Sequence, residues 1–321
     1  MNTRSPSLAL LGGAHVHLPD HLYRIDEGGR RVSHVFDRDP ARKQELCDRL
    51  GAEPLETLDS LDGLDVSGVV VCSETTHHEA DITAALKASL PVFSEKPLAG
   101  SARAAQAVAS LAEEHDLLLQ TGYFFRTIPA LRAARDWIDH GRLGRVSAAR
   151  MLFSHDGGYA DWLDLGGWMT DPERACYGGF VDEAVHAIDA LQWMLGPIDS
   201  GHAVTGNALG WPVDDHGASV LRFDCGAAGV VEAGWTDTRM RLELDIVGDE
   251  AAISLRDSEL VLTPRGATTP IERIRLETLD AGTGILPFLA ALDGETKPGL
   301  VPPRDAARVN TVLDALDLRL T

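Results

Sequence analysis

Cysteine is scarce in this chain: only Cys47, Cys72, Cys176 and Cys225 occur. They stand far apart, with no CxxC pair, which argues against a structural zinc site and against a disulfide framework. Each reads instead as a small apolar residue. Basic residues are outnumbered, 29 Lys and Arg against 49 Asp and Glu, for a formal net charge of −20. So acidic a chain is a poor partner for nucleic acid or an anionic membrane. No apolar run approaches the length of a membrane span, and the run near the N-terminus is too short for a secretory signal. The cytoplasm is the expected compartment. Internal repeats and low-complexity segments are lacking too. What is present is 321 residues, 44% of them hydrophobic, enough for two domains with cores of their own.

The first ~120 residues alternate short apolar runs with helical patterns, the signature of βαβ units around a parallel sheet. Strands are expected at Ser7–Leu11, Val32–Phe36, Val66–Cys72, Pro91–Ser94 and Leu117–Gln120. Helices are expected after Pro19 and at Pro40–Leu50, His77–Ala88 and Ser101–His115. The second half reads differently. After a helix at Pro129–His140 come strands at Val146–Phe153, His202–Ala208, Ala218–Phe223, Gly229–Trp235, Leu242–Val247 and Ala252–Leu255. Short links between sequential strands imply a mostly antiparallel sheet. A long helix, Val181–Leu195, interrupts them, and a helix at Arg304–Leu320 closes the chain.

Three loops carry the candidate chemistry. Gly12-Gly13-Ala14-His15-Val16-His17 follows the first strand, where a dinucleotide-binding loop would pass close to a pyrophosphate. Gly12 fits the first glycine of that pattern, but Ala14 and His17 occupy the other two, and an ordinary βα turn accounts for the segment equally well. Asp37 ends the second strand, where a carboxylate can accept both ribose hydroxyls and repel a 2′-phosphate, favouring NAD over NADP. The adjacent Arg38 pulls the other way. The third loop is Glu95-Lys96-Pro97, at the end of the fourth strand.

On the long helix, Asp182 and His186 are four residues apart and share a face. Ala184, Ile188, Leu191 and Leu195 form the opposite, apolar stripe. The polar face reads as a wet surface or as a cleft wall. Trp193 on that face and Gly178-Gly179 before it favour the wall. His155-Asp156-Gly157-Gly158-Tyr159, Trp162 and Trp168 form an aromatic and polar stretch suited to sugar faces, or to loop packing.

The order of these motifs resembles the glucose–fructose oxidoreductase / inositol dehydrogenase / rhizopine catabolism (Gfo/Idh/MocA) oxidoreductases. The resemblance is carried by Glu95-Lys96-Pro97, by Val69-Val70-Val71-Cys72-Ser73-Glu74-Thr75-Thr76-His77-His78, and by Gly122-Tyr123-Phe124-Phe125-Arg126 with Pro129. It continues through the glycines before Asp182-Glu183-Ala184-Val185-His186 and through Ile246-Val247-Gly248. It spans almost the whole chain.

The resemblance implies a Rossmann domain over 1–122, then an α+β domain over 123–303 with a large, mostly antiparallel open sheet. A C-terminal helix, 304–321, is expected to pack back on the first domain. The implied activity is hydride transfer between NAD (NADP as the alternative) and a secondary alcohol or ketone of a sugar, inositol or related polyol. Lys96, Asp182 and His186 are the implied catalytic residues. Gly12, Gly13, Ala14, His15, Asp37, Arg38, Ser73, Glu74, Thr75, His78, Glu95, Lys96, Pro97 and Arg126 would hold the cofactor. Lys96, Tyr123, His155, Trp168, Asp182 and His186 would meet the substrate. An open sheet with an apolar face implies a homodimer or homotetramer.

Two rivals remain. His15 and His17 form an HxH pair of the kind that binds metal at a first strand end in amidohydrolase barrels. Further ligands and eight βα repeats are not evident, so no metal is expected. A non-catalytic dinucleotide or sugar sensor of the same fold is the other. Such proteins tend to lose the lysine or histidine retained here.

Overall fold

The computed structural model describes residues 7–160 and 162–320. The expected blocks begin at Met1 and end at Thr321, and those end residues lie outside the described ones. The chain divides into two compact units. One comprises residues 1–124, 173–176 and 280–310, and the other 125–172, 177–279 and 311–321. The chain thus re-enters each unit, an arrangement that consecutive blocks of 1–122, 123–303 and 304–321 do not describe.

The first unit opens with β1 (Ser7–Leu11), α1 (Leu18–Glu27), β2 (Arg31–Phe36), α2 (Pro40–Leu50) and the two-residue β3 (Glu53–Pro54). It continues with β4 (Gly68–Val71), α3 (His78–Lys87), β5 (Val92–Ser94), α4 (Ala102–Glu114) and β6 (Leu119–Thr121). Every residue of β1 and β4 is buried, as in a parallel sheet covered on both faces. Local chemistry sets the helix ends. Asp39 caps α2 through Ala41 N and Arg42 N, and Ser101 caps α4 through Ala104 N.

Among the described residues these strands form one parallel sheet in the order β3-β2-β1-β4-β5-β6. The order reverses between β1 and β4. In an open α/β sheet, ligands bind outside the carboxyl ends of the strands at such a switch point. An open six-stranded sheet is not an eight-stranded barrel, so the amidohydrolase rival has no scaffold here. The core includes Leu8, Leu10, Val70 and Phe93, and it is completed by Ile285, Phe288 and Leu289 from the returning segment.

The second unit contains α5 (Pro129–Asp139) and β7 (Val146–Ser154). The short α6 (Pro172–Ala175), whose last three residues belong to the first unit, follows in the chain, then the long α7 (Gly179–Leu195). A run of strands comes next: β8 (Ile198–Gly206), β9 (His216–Phe223), β10 (Ala228–Gly234), β11 (Arg241–Gly248), β12 (Ala251–Arg256), β13 (Glu259–Pro264) and β14 (Glu272–Arg275). The sheet order is β14-β13-β12-β11-β7-β10-β9-β8. All pairs are antiparallel except β10 with β7. β13 and β14 extend the sheet beyond the strands expected from sequence. Returning to the first unit, α8 (Leu286–Leu292) precedes α9 (Pro303–Ala315), which belongs to that unit as far as Asn310 and ends well before the expected Leu320.

The sheet's outward face is less apolar than expected. Arg150 pairs with Glu232, Glu243 and Asp245, while Arg241 pairs with Asp237 and Glu243. Exposed Val204, Val220 and Val247 stand beside this network. No helix among the described residues is long and apolar enough to cross a membrane.

Candidate functional site

In the first unit, the candidate residues converge on the carboxyl ends of β1, β2, β4 and β5. Gly12 is required by its neighbour: its φ is +75°, and a Cβ there would lie 2.4 Å from Ser73 Cα. The loop amides turn inward. Gly12 N donates to Phe36 O, Ala14 N and His15 N both donate to Cys72 O, and Gly13 N donates to Asp37 Oδ2.

Asp37 is saturated. Its carboxylate accepts from Gly13 N (2.8 Å), Asp39 N (2.8 Å), Arg42 Nε (2.6 Å) and Arg42 Nη2 (2.9 Å). A carboxylate offers about four acceptor sites, and these four donors occupy them within the unit. Arg38 is drawn to Asp81, which also takes the Ser73 hydroxyl. Thr75 is buried beside this loop. Burial pushes the Glu74 carboxyl up, but hydrogen bonds and the charges of Arg174 and Arg42 bring it down to about 2.

His78 is fully buried, and its ring nitrogens face Pro97 O (2.8 Å) and Ser73 O (3.1 Å). It ties the β4 loop to the β5 loop. Lys96 follows β5, is 2% exposed, and is joined to Pro97 by a cis peptide bond. Tyr123 is fully buried in this same unit.

Glu95 is the largest departure from expectation. It is buried at the centre of three imidazoles: His15 Nε2 at 3.5 Å, His17 Nδ1 at 3.2 Å and His21 Nε2 at 2.5 Å. Burial alone would raise its carboxyl; the charges and hydrogen bonds of His15, His17 and His21 hold it well below the usual range. His21 was not singled out from sequence, where it reads as one more residue of α1. Two groups of donors among the described residues could hold a metal ion: His15, His17 and Glu95, and His155, Asp182 and Glu183.

In the second unit, α7 is buried on both faces: Asp189 is 0% and His186 1% exposed. The wet-surface reading of its polar side is thereby excluded. His186 sits against the rings of Phe125 and Phe153, with centroids 5.3 and 5.8 Å away. Asp182 accepts a hydrogen bond from Trp235 Nε1 (2.9 Å). Gly179 is needed for that same indole: a Cβ on it would come within 2.6 Å of the ring. Asp214, also missed from sequence, binds the amides of Gly179 and Phe180 and holds the start of α7. Burial raises its carboxyl above the ordinary value.

His155 Nε2 meets Glu183 Oε1 at 2.9 Å, and its Nδ1 accepts from Gly157 N. Both ring nitrogens are thus used within the unit. Trp168 packs half-buried against Leu163, Met169, Val213 and Trp235. Arg126 belongs to the second unit. Its guanidinium grips Asp189 with bonds of 2.9 and 2.7 Å and lies over Trp193. That packing explains an indole on a polar helix face.

The implied dinucleotide meets a mixed surface. The inward amides do not offer the usual cradle, but Arg38, Arg42 and Arg174 leave guanidinium surface exposed, and His17 is partly open. Cationic side chains at a switch point suit an anionic cofactor.

Residues 10–123 match the model of an oxidoreductase family with an NAD-binding Rossmann fold, and residues 131–254 match the GFO/IDH/MocA C-terminal domain. The chain is 26% identical to a 1,5-anhydro-D-fructose reductase of Ensifer adhaerens over 249 residues, 73% of this chain and 72% of the relative. It is 26% identical to the scyllo-inositol 2-dehydrogenase (NAD(+)) of Bacillus subtilis over 261 residues, 76% and 72% of the two chains. The structure of a levoglucosan dehydrogenase in complex with NADH and levoglucosan shares the fold, with a TM-score of 0.82 at 20% identity over 97% of this chain and 96% of that one.

Proposed function

Since the chain belongs to the Gfo/Idh/MocA oxidoreductases, we propose that it oxidises or reduces one carbon of a sugar, inositol or related polyol. The observation that carries this reading is the pair on α7. His186 is buried against two phenyl rings, and Asp182, one turn earlier, is oriented by Trp235. A positioned imidazole takes or gives the proton that accompanies hydride transfer. Asp182 orients the substrate hydroxyl or tunes its neighbour. The Lys96 ammonium, at the carboxyl end of β5, balances charge that develops on the reacting oxygen.

The dinucleotide, when bound, supplies the hydride acceptor or donor at its nicotinamide. Gly12, Ser73, Arg38 and Arg42 are the residues that would hold it. Retention of Lys96, Asp182 and His186 favours turnover over a sensor. The protein acts in the cytoplasm as a homodimer or homotetramer, joined through the outward sheet face around Val204 and Val220. Purified protein assayed against a polyol panel with NAD and NADP tests the activity by absorbance of the reduced cofactor. Reduction with an inositol or anhydrosugar is the expected result; no turnover with any polyol, despite measured cofactor binding, would favour the sensor.

A further inference from the structure

We propose that His15, His17 and Glu95 form a site for one divalent first-row transition metal ion of the zinc type. Sequence offered only the HxH pair and no further ligand. The fold supplies one, because β5 carries Glu95 to the loop after β1. His15 Nε2 stands 3.5 Å from one carboxylate oxygen and His17 Nδ1 3.2 Å from the other. One ligand atom from each of the three residues lies within 4.8 Å of the other two. With metal–ligand bonds of about 2.0–2.1 Å, tetrahedral donors stand roughly 3.3–3.4 Å apart. Each imidazole already stands at about that distance from the carboxylate oxygen nearer to it, so small shifts bring one donor of each residue around an ion.

Two imidazoles and a carboxylate match the donor set of an open zinc site, with a remaining position for water or an anion. The carboxylate is held from behind by His21 Nε2 at 2.5 Å and by Lys96 N at 2.9 Å. Such outer partners aim a ligand and preserve its charge. Access is from the His17 side, whose side chain is 22% exposed while those of His15 and Glu95 are 1%. Metal binding requires the ring nitrogens facing the carboxylate to be free of protons. It also gives up the 3.2 Å contact from His17 N to His15 Nδ1, since that nitrogen then carries the ring proton.

The full-length protein, stripped with a chelator, is titrated with zinc chloride by calorimetry at neutral pH. The expected result is one zinc per chain with a dissociation constant tighter than about 10 µM. His17→Ala, at a partly open position, should weaken binding by about 100-fold. His140→Ala, at a side chain 69% exposed, should leave it unchanged. Cobalt(II) should give visible bands of a tetrahedral nitrogen–oxygen site, lost in His17→Ala. Absence of saturable binding, or binding that survives His17→Ala or vanishes with His140→Ala, overturns the proposal.

Discussion

Arg126 separates a cofactor ligand from a structural post. Its side chain is 4% exposed, that of Asp189 is 1%, and two hydrogen bonds join them. Changing Arg126 to Met keeps the apolar stem but removes the charge and the two hydrogen bonds that Asp189 receives from it. Leaving one member of a buried pair costs about 3–5 kcal/mol. At roughly 2–4 °C per kcal/mol for a unit of this size, Tm should fall by about 6–20 °C. The double change Arg126→Met/Asp189→Leu removes both charges and should recover most of that loss. Thermal unfolding followed by circular dichroism reads the stability. NADH fluorescence, titrated well below the variant's Tm, reads the cofactor and should show affinity near wild type. A Tm within about 2 °C of wild type together with a large loss of NADH affinity would refute the reasoning and return Arg126 to the cofactor.

His186→Ala should lower kcat by roughly 10²–10⁴-fold with little change in NAD affinity, since it removes a proton acceptor and not a dinucleotide contact; steady-state kinetics on the best polyol checks it. Lys96→Met should keep NADH binding but lose most hydride transfer, and a loss of only a few-fold in kcat would make Lys96 structural. Glu74 titrates near 2 when folded against an ordinary 4.5, so its pairing stabilises the fold above about pH 4.5 and is lost as pH falls toward 2; Glu74→Gln should flatten that stretch of the stability–pH curve. Light scattering at micromolar concentration should give a dimer or tetramer, and a monomer would count against association through the sheet.

Periodicity and turn chemistry made the architecture legible. The buried valine run of β4, the Asp39 cap and the Gly51 stop of α2 are local signals, readable because backbone geometry and capping act within a few residues. The same local patterns put Lys96 just after a strand and Asp182 and His186 on one helix, as β5 and α7 show. What sequence could not supply were partnerships across long separations. Arg42 filling Asp37, Glu95 among His15, His17 and His21, Trp235 on Asp182 and Arg126 on Asp189 join residues five to 80 positions apart. In each case the residue type announces a charge or a ring, but burial decides who must satisfy it. Inside a low-dielectric core an unpaired polar group costs far more than it does in water. The sequence by itself therefore determined which groups exist and which strand or helix bears them. Only the tertiary structure decided which are left open toward a ligand and which are consumed by one another.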